Sequence, residues 1–514
     1  MGMKRQKVKL IPGSVSRADL RAVWAGADVE LADDSYAALD RAAESVARIT
    51  KSGETVYGIN TGFGLLAQTH IDADHLVELQ RNLVMSHACG TGPHLDRRIV
   101  RLVIALKIIG LARGYSGVRS SVVQSLVGLL DDDLLPVIPA QGSVGASGDL
   151  APLAHVAAAM MGVGHIMDHD TKTDAASALA KHNIESLKLA PKEGLALLNG
   201  TQVSTAIALD ALFMAENVFA TALVSGALSV DAARGSDDPF DHRIHVLRGY
   251  AGQILVADTL RELLAGSAIR QSHQECDKVQ DPYSFRCQPQ VMGASYDLIQ
   301  QVANTLVTEA NAVTDNPLIF PDADVAISGG NFHAQPVAFA ADMLTMALCE
   351  VGSLSERRIA VLVDPHMSGL PAFLIEHEGL NSGFMIPQVT AAALVSENKT
   401  HAFPASVDSI PTSANQEDHV SMAPAAARKS GTVAKNAACV IGIELLAASQ
   451  GIDFHKPLET SAPLSAAVNA VREFSAFLDR DRYMADEITA ARQSVLNGRI
   501  REVVGAPVST DELF

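Results

Sequence analysis

The sequence predicts a mainly α-helical fold, with a turn-rich N-terminal head over residues 1–200 followed by a long helical bundle over 201–514. Aromatic residues make up 4% of the 514 residues and alanine is abundant, a composition that suits closely packed helices better than sheets. After about Gln202, apolar residues recur at steps of three and four over stretches longer than ordinary helices. A chain of this length can bury a large core and form more than one structural region.

The individual elements follow from the same periodicity. The long helices are predicted at Ser204–Arg234, Gln290–Val313, His333–Leu362 and Ser421–Gln450. Because helices of this length need neighbours along most of their surface, we predict a bundle that is extended by subunit association. Residues 1–200 instead alternate short helical runs with glycine-rich turns. The polar joints between helices are where function is expected, and the tail after Gly505 is predicted to be loosely ordered.

Charge and cysteine usage narrow the class of protein. The chain has 40 basic and 58 acidic residues and a formal net charge of −18, which argues against nucleic acid or an anionic membrane surface as the main partner. No apolar run reaches the ~18 uncharged residues of a membrane span, and the basic N-terminus lacks the apolar stretch of a signal peptide. The scattered cysteines (89, 276, 287, 349 and 439) indicate reduced thiols in a cytoplasmic protein.

The most informative segment is residues 141–155, Gln-Gly-Ser-Val-Gly-Ala-Ser-Gly-Asp-Leu-Ala-Pro-Leu-Ala-His, because its tripeptide Ala146-Ser147-Gly148 can cyclise on itself. Attack of the Gly148 nitrogen on the Ala146 carbonyl carbon closes a five-membered ring and releases one water. Loss of the Ser147 hydroxyl as a second water leaves an exocyclic methylidene, a carbon electrophile that no unmodified side chain supplies.

The residue types around Ser147 agree with that chemistry. Gly148 lets the backbone fold tightly, Ala146 is small, and Ser147 carries the hydroxyl that must leave. Asp149 is predicted to be the N-cap of a helix over Leu150–Met161, with Pro152 in its first turn, which would set the ring at a helix N-terminus. The alternative is a plain glycine-rich turn or a phosphate cradle; the latter is weak because no Lys-Ser/Thr pair follows the glycines.

Several motifs occurring together make a resemblance specific. The chain resembles the aromatic amino acid ammonia-lyases of the methylidene-imidazolone type from about Ile11 to about Ile488, and among them the histidine-specific branch. The motifs that carry the resemblance lie at residues 56–64, 82–90, 142–155, 198–201, 280–290, 314–317, 329–333, 379–385 and 413–419.

The resemblance implies a fold, a reaction and a cofactor. The architecture would be that of the fumarase/aspartase-like superfamily, assembled as a homotetramer with shared active sites. The reaction would be non-oxidative elimination of ammonia from L-histidine to give trans-urocanate, the first step of histidine degradation. The cofactor would be an internal 4-methylidene-imidazol-5-one formed from Ala146, Ser147 and Gly148, with no added cofactor and no metal.

The resemblance also assigns catalytic roles. Tyr283 would be the base that removes the β-proton, although a free tyrosine has a pKa of ~10 and needs help near neutral pH. Arg286 could favour the phenolate if the two side chains come close, yet by resemblance its planar fork holds the substrate carboxylate. Tyr57 would meet the ring and the substrate amine. Asn199 would orient the ring or the substrate carboxylate; without the resemblance it is a turn residue before Gly200.

Substrate choice rests on two positions in the same resemblance. His87, in the pair Ser86-His87, would hydrogen-bond the substrate imidazole, although a lone helical histidine is more often a satisfied core residue. Glu417 would contact the imidazole and assist the elimination; the alternative is a solvated loop acid beside Asp418. Phe332 would pack near the ring, and Gln280 and Gln416 would add polar contacts.

Other interpretations remain open at this stage. A phenylalanine or tyrosine ammonia-lyase, or an aminomutase using the same ring, is disfavoured by His87 and Glu417. The alternative from another class is a non-catalytic helical scaffold, in which the glycine-rich turn around Ser147 never cyclises. His165, Asp168 and His169 do not form a zinc-type motif, so surface histidines are expected there. The chain departs from the family pattern at Gln335, where an acid is common, and at Phe285, where leucine is usual.

Overall fold

The computed structural model describes residues 7–52, 55–62, 69–273 and 279–514. Cys276, the Phe63-Gly64 end of the 56–64 motif and the N-terminal residues 1–6 lie outside the described residues. The chain divides into two units that alternate along the sequence. The first comprises residues 1–210, 303–341 and 404–428, and the second comprises 211–302, 342–403 and 429–514. The boundary at residue 200 stays a prediction from sequence.

Helices dominate the described chain, as predicted. In chain order they are α1 (Arg17–Trp24), α2 (Asp34–Ser52), α3 (Leu76–His87), α4 (Arg97–Leu111), α5 (Ser120–Asp131), α6 (Leu150–Met160), α7 (Ala175–Lys181), α8 (Glu193–Leu198), α9 (Gln202–Ala232), α10 (His242–Arg248), α11 (Ala251–Leu264), α12 (Ala268–Gln271), α13 (Tyr283–Arg286), α14 (Gln288–Ala310), α15 (Gln335–Val363), α16 (Pro365–Ser368), α17 (Met385–His401), α18 (Ala423–Asp453), α19 (Ala462–Arg472), α20 (Ala485–Leu496), α21 (Arg499–Val504) and α22 (Thr510–Leu513). The four long helices predicted from periodicity are α9, α14, α15 and α18, each within three residues of its predicted bounds.

The strands of the described chain are short and all lie in the first unit. β1 (Lys7–Leu10) pairs in parallel with β2 (Asp28–Leu31), while the remaining pairs are antiparallel. These are β3 (Thr91–His94) with β5 (Pro139–Gln141), the sheet of β4 (Leu134–Pro136), β6 (His165–Asp168) and β7 (Thr171–Asp174) in that order, and β8 (Leu318–Phe320) with β9 (Val325–Ile327).

The second unit is built around the C-terminal part of α9, which is buried on every side, as expected for a helix that is apolar all round. Two of its buried polar side chains, Ser225 and Ser229, donate to the buried carboxylate of Glu444, at 2.8 and 2.7 Å. Arg358 completes that network with two hydrogen bonds to Glu444, at 2.5 and 2.8 Å. A buried carboxylate held by an arginine and hydroxyl groups meets the requirement that buried charges be paired.

The prediction of a loose tail was wrong. α22 follows Gly505, and Val508 and Leu513 are buried. The hydroxyl of Tyr296 donates to the carbonyl of Leu513 at 2.6 Å, and the Phe514 ring lies 6.0 Å from the ring of Tyr296. The terminus is therefore ordered by burial of Val508 and Leu513, by the ring contact of Phe514 and by the hydrogen bond from the Tyr296 hydroxyl, since a terminus tied down in this way does not fray.

Three of the long helices, α9, α15 and α18, are long and apolar enough to cross a membrane by length and composition alone. In their most apolar windows, 94%, 67% and 72% of the residues are buried within the protein.

Candidate active site

The segment 142–149 forms a tight turn that only glycine permits at its critical position. Gly148 has a φ of +76°, and a Cβ on it would collide with the backbone nitrogen and oxygen of Gly200. The two glycines form a parallel β-bridge, and the amide of Asp149 donates to the carbonyl of Gly200 at 2.7 Å. Gly148 therefore lies directly against the backbone of another segment, where a side chain has no room.

The turn is also anchored on its other side. Ser421 Oγ donates to the carbonyl of Gly145 at 2.9 Å, and the Ala334 amide donates to the same carbonyl at 3.2 Å. The Met422 amide donates to the carbonyl of Val144 at 2.9 Å. Together with Gly200, the segments at Ala334 and at Ser421-Met422 hold the backbone around Ser147. These contacts restrict the conformations that the tripeptide can adopt.

Ser147 lies between two polar side chains from different segments. Its Oγ donates to Glu417 Oε1 at 3.0 Å, and its carbonyl oxygen accepts from Asn199 Nδ2 at 3.2 Å. Asn199 Oδ1 and Glu417 Oε2 are buried and have no partner among the described residues. The structure thus brings together three residues that the sequence singled out separately, and it leaves two buried acceptors beside them.

The predicted capping role of Asp149 was wrong, although α6 does begin at Leu150. Asp149 occupies the N-cap position, but its side chain makes no hydrogen bond to its own helix. Its carboxylate instead accepts from Ser143 Oγ at 2.8 Å and from the backbone amide and Oγ of Ser204, in the first turn of α9, at 2.7 and 2.8 Å. Burial raises the pKa of Asp149, and these hydrogen bonds oppose that rise.

Asp149 therefore connects the turn to the start of α9 rather than capping α6. Its backbone angles (φ −95°, ψ 57°) differ from the extended conformation in which a side chain usually reaches its own N-terminal amides.

Glu417 is positioned by a strained loop. Ser413, Ala414 and Asn415 have φ values of +52°, +55° and +68°, a left-handed conformation that is unfavourable for residues with a side chain. The loop closes where the Thr412 amide donates to the carbonyl of Glu417 at 2.9 Å. Gln416 is exposed and Glu417 is half-buried, so the loop directs the glutamate, and not its neighbour, towards Ser147.

His87 ends α3 and has a defined tautomer. Its Nδ1 lies 2.8 Å from the carbonyl oxygen of Leu83, which can only accept, so Nδ1 carries the proton. Burial lowers the pKa of His87 and favours the neutral ring, in which Nε2 is an acceptor. The hydrogen bond of Nδ1 agrees with the alternative that His87 is a satisfied core histidine. It also leaves Nε2 as an acceptor that can receive an N–H donor.

Two further predicted residues lie in the first unit. Tyr57 is half-buried in the segment before Gly58. Phe332 is half-buried in the turn that precedes α15, two residues before the Ala334 amide that binds Gly145. Phe332 therefore lies on the segment that anchors the turn, and its place near the ring stays a prediction.

The remaining predicted residues, Gln280, Tyr283 and Arg286, form a group of their own in the second unit. They line an open cleft of about 730 Å³. The Arg286 guanidinium carbon lies 5.1 Å from the centre of the Tyr283 ring, and Arg286 Nε donates to the carbonyl of Asp281 at 2.9 Å. The close approach of these two side chains, left conditional by sequence, is therefore present as a cation–π contact. Tyr283 is 68% exposed.

Sequence reasoning missed residues that hold the turn, among them Ser143 and Ser421. Neither carries a sequence signal, because a serine that binds a backbone carbonyl 276 residues away resembles any other polar residue near a helix end. The rejected trio at 165–169 has ordinary partners: Asp168 accepts from Lys181 at 2.6 Å, and His169 Nδ1 lies 3.4 Å from Asp133.

Comparison with known proteins defines the class. The model of the aromatic amino acid lyase family matches residues 15–473. The crystal structure of histidine ammonia-lyase from Trypanosoma cruzi is 41% identical, covers 99% of this chain and 96% of its own, and superposes with a TM-score of 0.91. Tyrosine aminomutase from Streptomyces globisporus is 35% identical, with coverages of 97% and 98% and a TM-score of 0.93. Ergothionase from Treponema denticola is 27% identical, with coverages of 96% and 99% and a TM-score of 0.91.

The fold and the site define an aromatic amino acid lyase of fumarase/aspartase-like all-α architecture. The chain belongs to the aromatic amino acid lyase family. Members of this family are oligomeric enzymes that act on small molecules with an internal methylidene-imidazolone group. Both the family and the reaction class were predicted from the motifs.

Proposed function

We propose that this lyase removes ammonia from L-histidine to give trans-urocanate, using an electrophile that it builds from Ala146, Ser147 and Gly148. The observation that carries the proposal is the placement of Ser147 between Asn199 and Glu417, at 3.2 and 3.0 Å, in a turn where position 148 admits only glycine.

The residues present fit the internal group. A bond from the Gly148 nitrogen to the Ala146 carbonyl carbon releases that carbonyl oxygen as water, and Ser147 then loses its Cα hydrogen and its hydroxyl as a second water. Ala146 is 5% exposed, so the ring would form away from bulk water. Once formed, the group supplies an electron-poor methylidene carbon that takes up the substrate amine and makes it a better leaving group.

The side chain of Asn199 donates a hydrogen bond to the carbonyl oxygen of Ser147. Negative charge that develops on this oxygen meets an amide N–H already in place at 3.2 Å. A preorganised donor at the site of developing charge is among the most effective forms of catalysis. The backbone of Asn199 is fixed as well, because its amide donates to the carbonyl of Leu195 at 2.8 Å.

Glu417 and His87 support histidine as the substrate. Loss of the Ser147 hydroxyl frees Glu417 Oε1, and Oε2 is already without a partner among the described residues. His87 adds a neutral ring whose Nε2 is an acceptor. A substrate imidazole carries an N–H donor, which such groups can bind, whereas a phenyl side chain would leave them unpaired at a cost of about 1–3 kcal/mol each.

The remaining roles follow the family pattern. Tyr283 would remove the β-proton, Arg286 would bind the substrate carboxylate in bidentate fashion, and Tyr57 would aid proton transfer at the amine. Gln280, Gln416 and Phe332 would complete the pocket.

We also propose that the enzyme works as a cytoplasmic homotetramer with shared sites. Support for association comes from large apolar side chains that a single chain leaves exposed in the second unit, namely Leu380 (85%), Ile386 (60%) and Val389 (51%), because burial of such side chains in an interface removes apolar surface from water. Sedimentation of the purified protein tests this: a monomer that is fully active would contradict it.

Intact-protein mass tests the electrophile. The purified chain is expected to weigh two waters less than its translated sequence, while Ser147→Ala cannot lose the second water. Ser147→Ala is expected to fold with an unchanged helical circular dichroism spectrum and to lose nearly all turnover. A full translated mass in an active preparation would refute self-processing.

Substrate assays test the choice of amino acid. Incubation with L-histidine is expected to give the ultraviolet absorbance of urocanate, with phenylalanine and tyrosine giving little cinnamate or coumarate. The 35% identity to a tyrosine aminomutase makes a β-amino acid the main competing product, which chromatography would detect. Comparable turnover of tyrosine and histidine would contradict the substrate assignment.

A further inference from the structure

A fully buried lysine lies behind Asn199, in a part of the protein to which the reaction assigns no role. Lys107 is 2% exposed in α4, and its Nζ donates to the carbonyls of Ala196 at 2.8 Å and Asn199 at 2.6 Å. Ala196 is itself completely buried. Burying an amine is costly unless it is well paired, so its retention here suggests a specific task.

The two carbonyls lie at the C-terminal end of α8, where backbone oxygens lack partners within the helix. A lysine amine at this end satisfies them and also suits the negative end of the helix. Both the ammonium form, with three N–H groups, and the neutral amine, with two, can hold both carbonyls. The grip on residues 196–199 is therefore available in either protonation state.

Two successive hydrogen bonds connect Lys107 to the tripeptide that would form the electrophile. Lys107 holds the carbonyl of Asn199, and the Asn199 side chain donates to the carbonyl oxygen of Ser147. The next residue, Gly200, forms the bridge with Gly148. The chain of contacts thus runs from the buried amine to Ser147 and Gly148, two of the three residues that would form the ring.

We propose that Lys107 is a positioning residue of the self-made electrophile: by fixing the backbone at Asn199, it holds the amide donor and the Gly200 bridge against Ser147 and Gly148. This inference rests on the proposed function, because it requires that the tripeptide cyclise. It assigns Lys107 no contact with the substrate.

The surroundings of Lys107 offer a matched control. Lys192, at the N-terminal end of the same α8, is also fully buried, and its Nζ donates to Asp315 Oδ2 at 2.7 Å rather than to the Asn199 segment. Lys192→Met therefore removes a buried amine from the same helix without touching the carbonyl of Asn199. Its expected effect is a loss of stability alone.

The test compares Lys107→Met with Lys192→Met in the full-length protein. The readouts are the fraction of chains that lack two waters, the rate at which borohydride reduces the electrophile per processed chain, and kcat and KM for histidine. For Lys107→Met we expect the rate of processing, or the per-ring reduction rate and kcat, to fall roughly 10- to 100-fold, since a misplacement of about 1 Å can cost 10²-fold. KM is expected to change little.

A double-variant cycle shows whether Lys107 acts through Asn199. In an Asn199→Ala background, Lys107→Met is expected to lose the part of its effect that acts through the Asn199 amide and to keep only the part that acts through the Gly200 bridge, so the combined loss is smaller than the sum of the two single losses. Full additivity of the two losses would overturn the proposal. So would Lys107→Met chains that are processed and reduced like the wild type and differ only in melting temperature.

If Lys107→Met does not fold, Lys107→Gln is measured in the same way. Glutamine keeps an N–H donor for at least one carbonyl, so an intermediate loss supports the proposal and wild-type behaviour overturns it. A wild-type chain without the two-water deficit would overturn the proposed function and this inference together. A processed wild type with an unaffected lysine variant would overturn the inference alone.

Discussion

Glu417 Oε1 accepts a hydrogen bond at 3.0 Å from the hydroxyl of Ser147, 270 residues earlier in the chain. The hydroxyl that this carboxylate holds is the one that must leave when the internal electrophile forms. Under the proposed function, one glutamate faces first the precursor and then the substrate, because dehydration of Ser147 would free an acceptor for the N–H of a substrate imidazole.

Replacing this carboxylate by an amide tests its part in turnover. Glu417→Gln is expected to lower kcat for histidine roughly 10²–10³-fold, a range common for loss of a group that assists proton transfer. The matched control is Asp418→Asn, which removes the same charge from an exposed neighbour and should leave kcat within a factor of two or so. Equal effects of the two substitutions would mean that only loop charge matters.

The close contact at Gly148 predicts a selective loss of processing. In Gly148→Ala the new Cβ meets the backbone of Gly200, so the turn must open and the two-water deficit measured by mass should disappear. Gly164→Ala is the control, because Gly164 has a similar φ of +83° with no atom within 4 Å of the added Cβ. Its cost should be only the conformational strain of about 1–2 kcal/mol, with processing complete.

The phenol of Tyr283 is expected to act after the electrophile exists. Tyr283→Phe should keep the two-water deficit but lower kcat roughly 10²–10⁴-fold, since the proton acceptor is lost. Tyr250→Phe is its control: Tyr250 is 59% exposed and also has an arginine over its ring, with the Arg248 carbon at 5.5 Å. An unchanged rate in Tyr283→Phe would remove this tyrosine from the role of base.

His87 is expected to act on substrate selection. His87→Leu removes the Nε2 acceptor and should raise KM for histidine about tenfold, the effect of one net hydrogen bond of ~1.4 kcal/mol, while kcat for phenylalanine should not fall. Ser86→Ala removes the contacts of Ser86 Oγ with His87 Nδ1 and with the carbonyl of Leu83, but it leaves the hydrogen bond between His87 Nδ1 and Leu83 and should change KM little. Steady-state kinetics with both amino acids decides between them.

The buried amine of Lys107 predicts a pH dependence of stability. Burial lowers the pKa of Lys107 from 10.5 to about 7, with Asp315 and Asp149 favouring the charged form and Lys192 opposing it. Between pH 7 and about 10.5 the unfolded chain therefore binds more protons at this position than the folded chain does, so this group's contribution to stability rises with pH.

The measurement is the difference in melting temperature between wild type and Lys107→Met. It should shift in favour of the wild type as the pH rises from 7 to 9. A wild-type advantage that stays constant over this range would show that Lys107 remains charged when buried.

Much of the candidate site could be predicted because its chemistry is written in short, contiguous motifs. Ala146-Ser147-Gly148 are neighbours in sequence, and the positions of α9, α14, α15 and α18 follow from a periodicity that a helix must show if one side is buried. The role of Asp149 could not be predicted in this way. Its position before α6 indicates a cap, yet its carboxylate binds the first turn of α9, a choice that depends on where two helices meet.

Lys107 illustrates the same limit. The apolar neighbours of Lys107 in α4 do indicate that this lysine is buried. A charged residue is seldom buried without a partner, so a partner is expected too. Its two partners are the backbone carbonyls of Ala196, in α8, and of Asn199, the residue after α8. Residues of any type carry such carbonyls. No side-chain pattern marks them.

By itself, the sequence determined the family, the helical class and the three residues able to form an electrophile, because covalent reactivity and helical periodicity depend on residues close together along the chain. Only the tertiary structure decided which groups hold those three residues: Glu417 on the hydroxyl, Asn199 on the carbonyl, and Gly200 against Gly148. Hydrogen bonds act over about 3 Å in space, whatever the separation in sequence. Their partners are therefore settled only when the chain has folded.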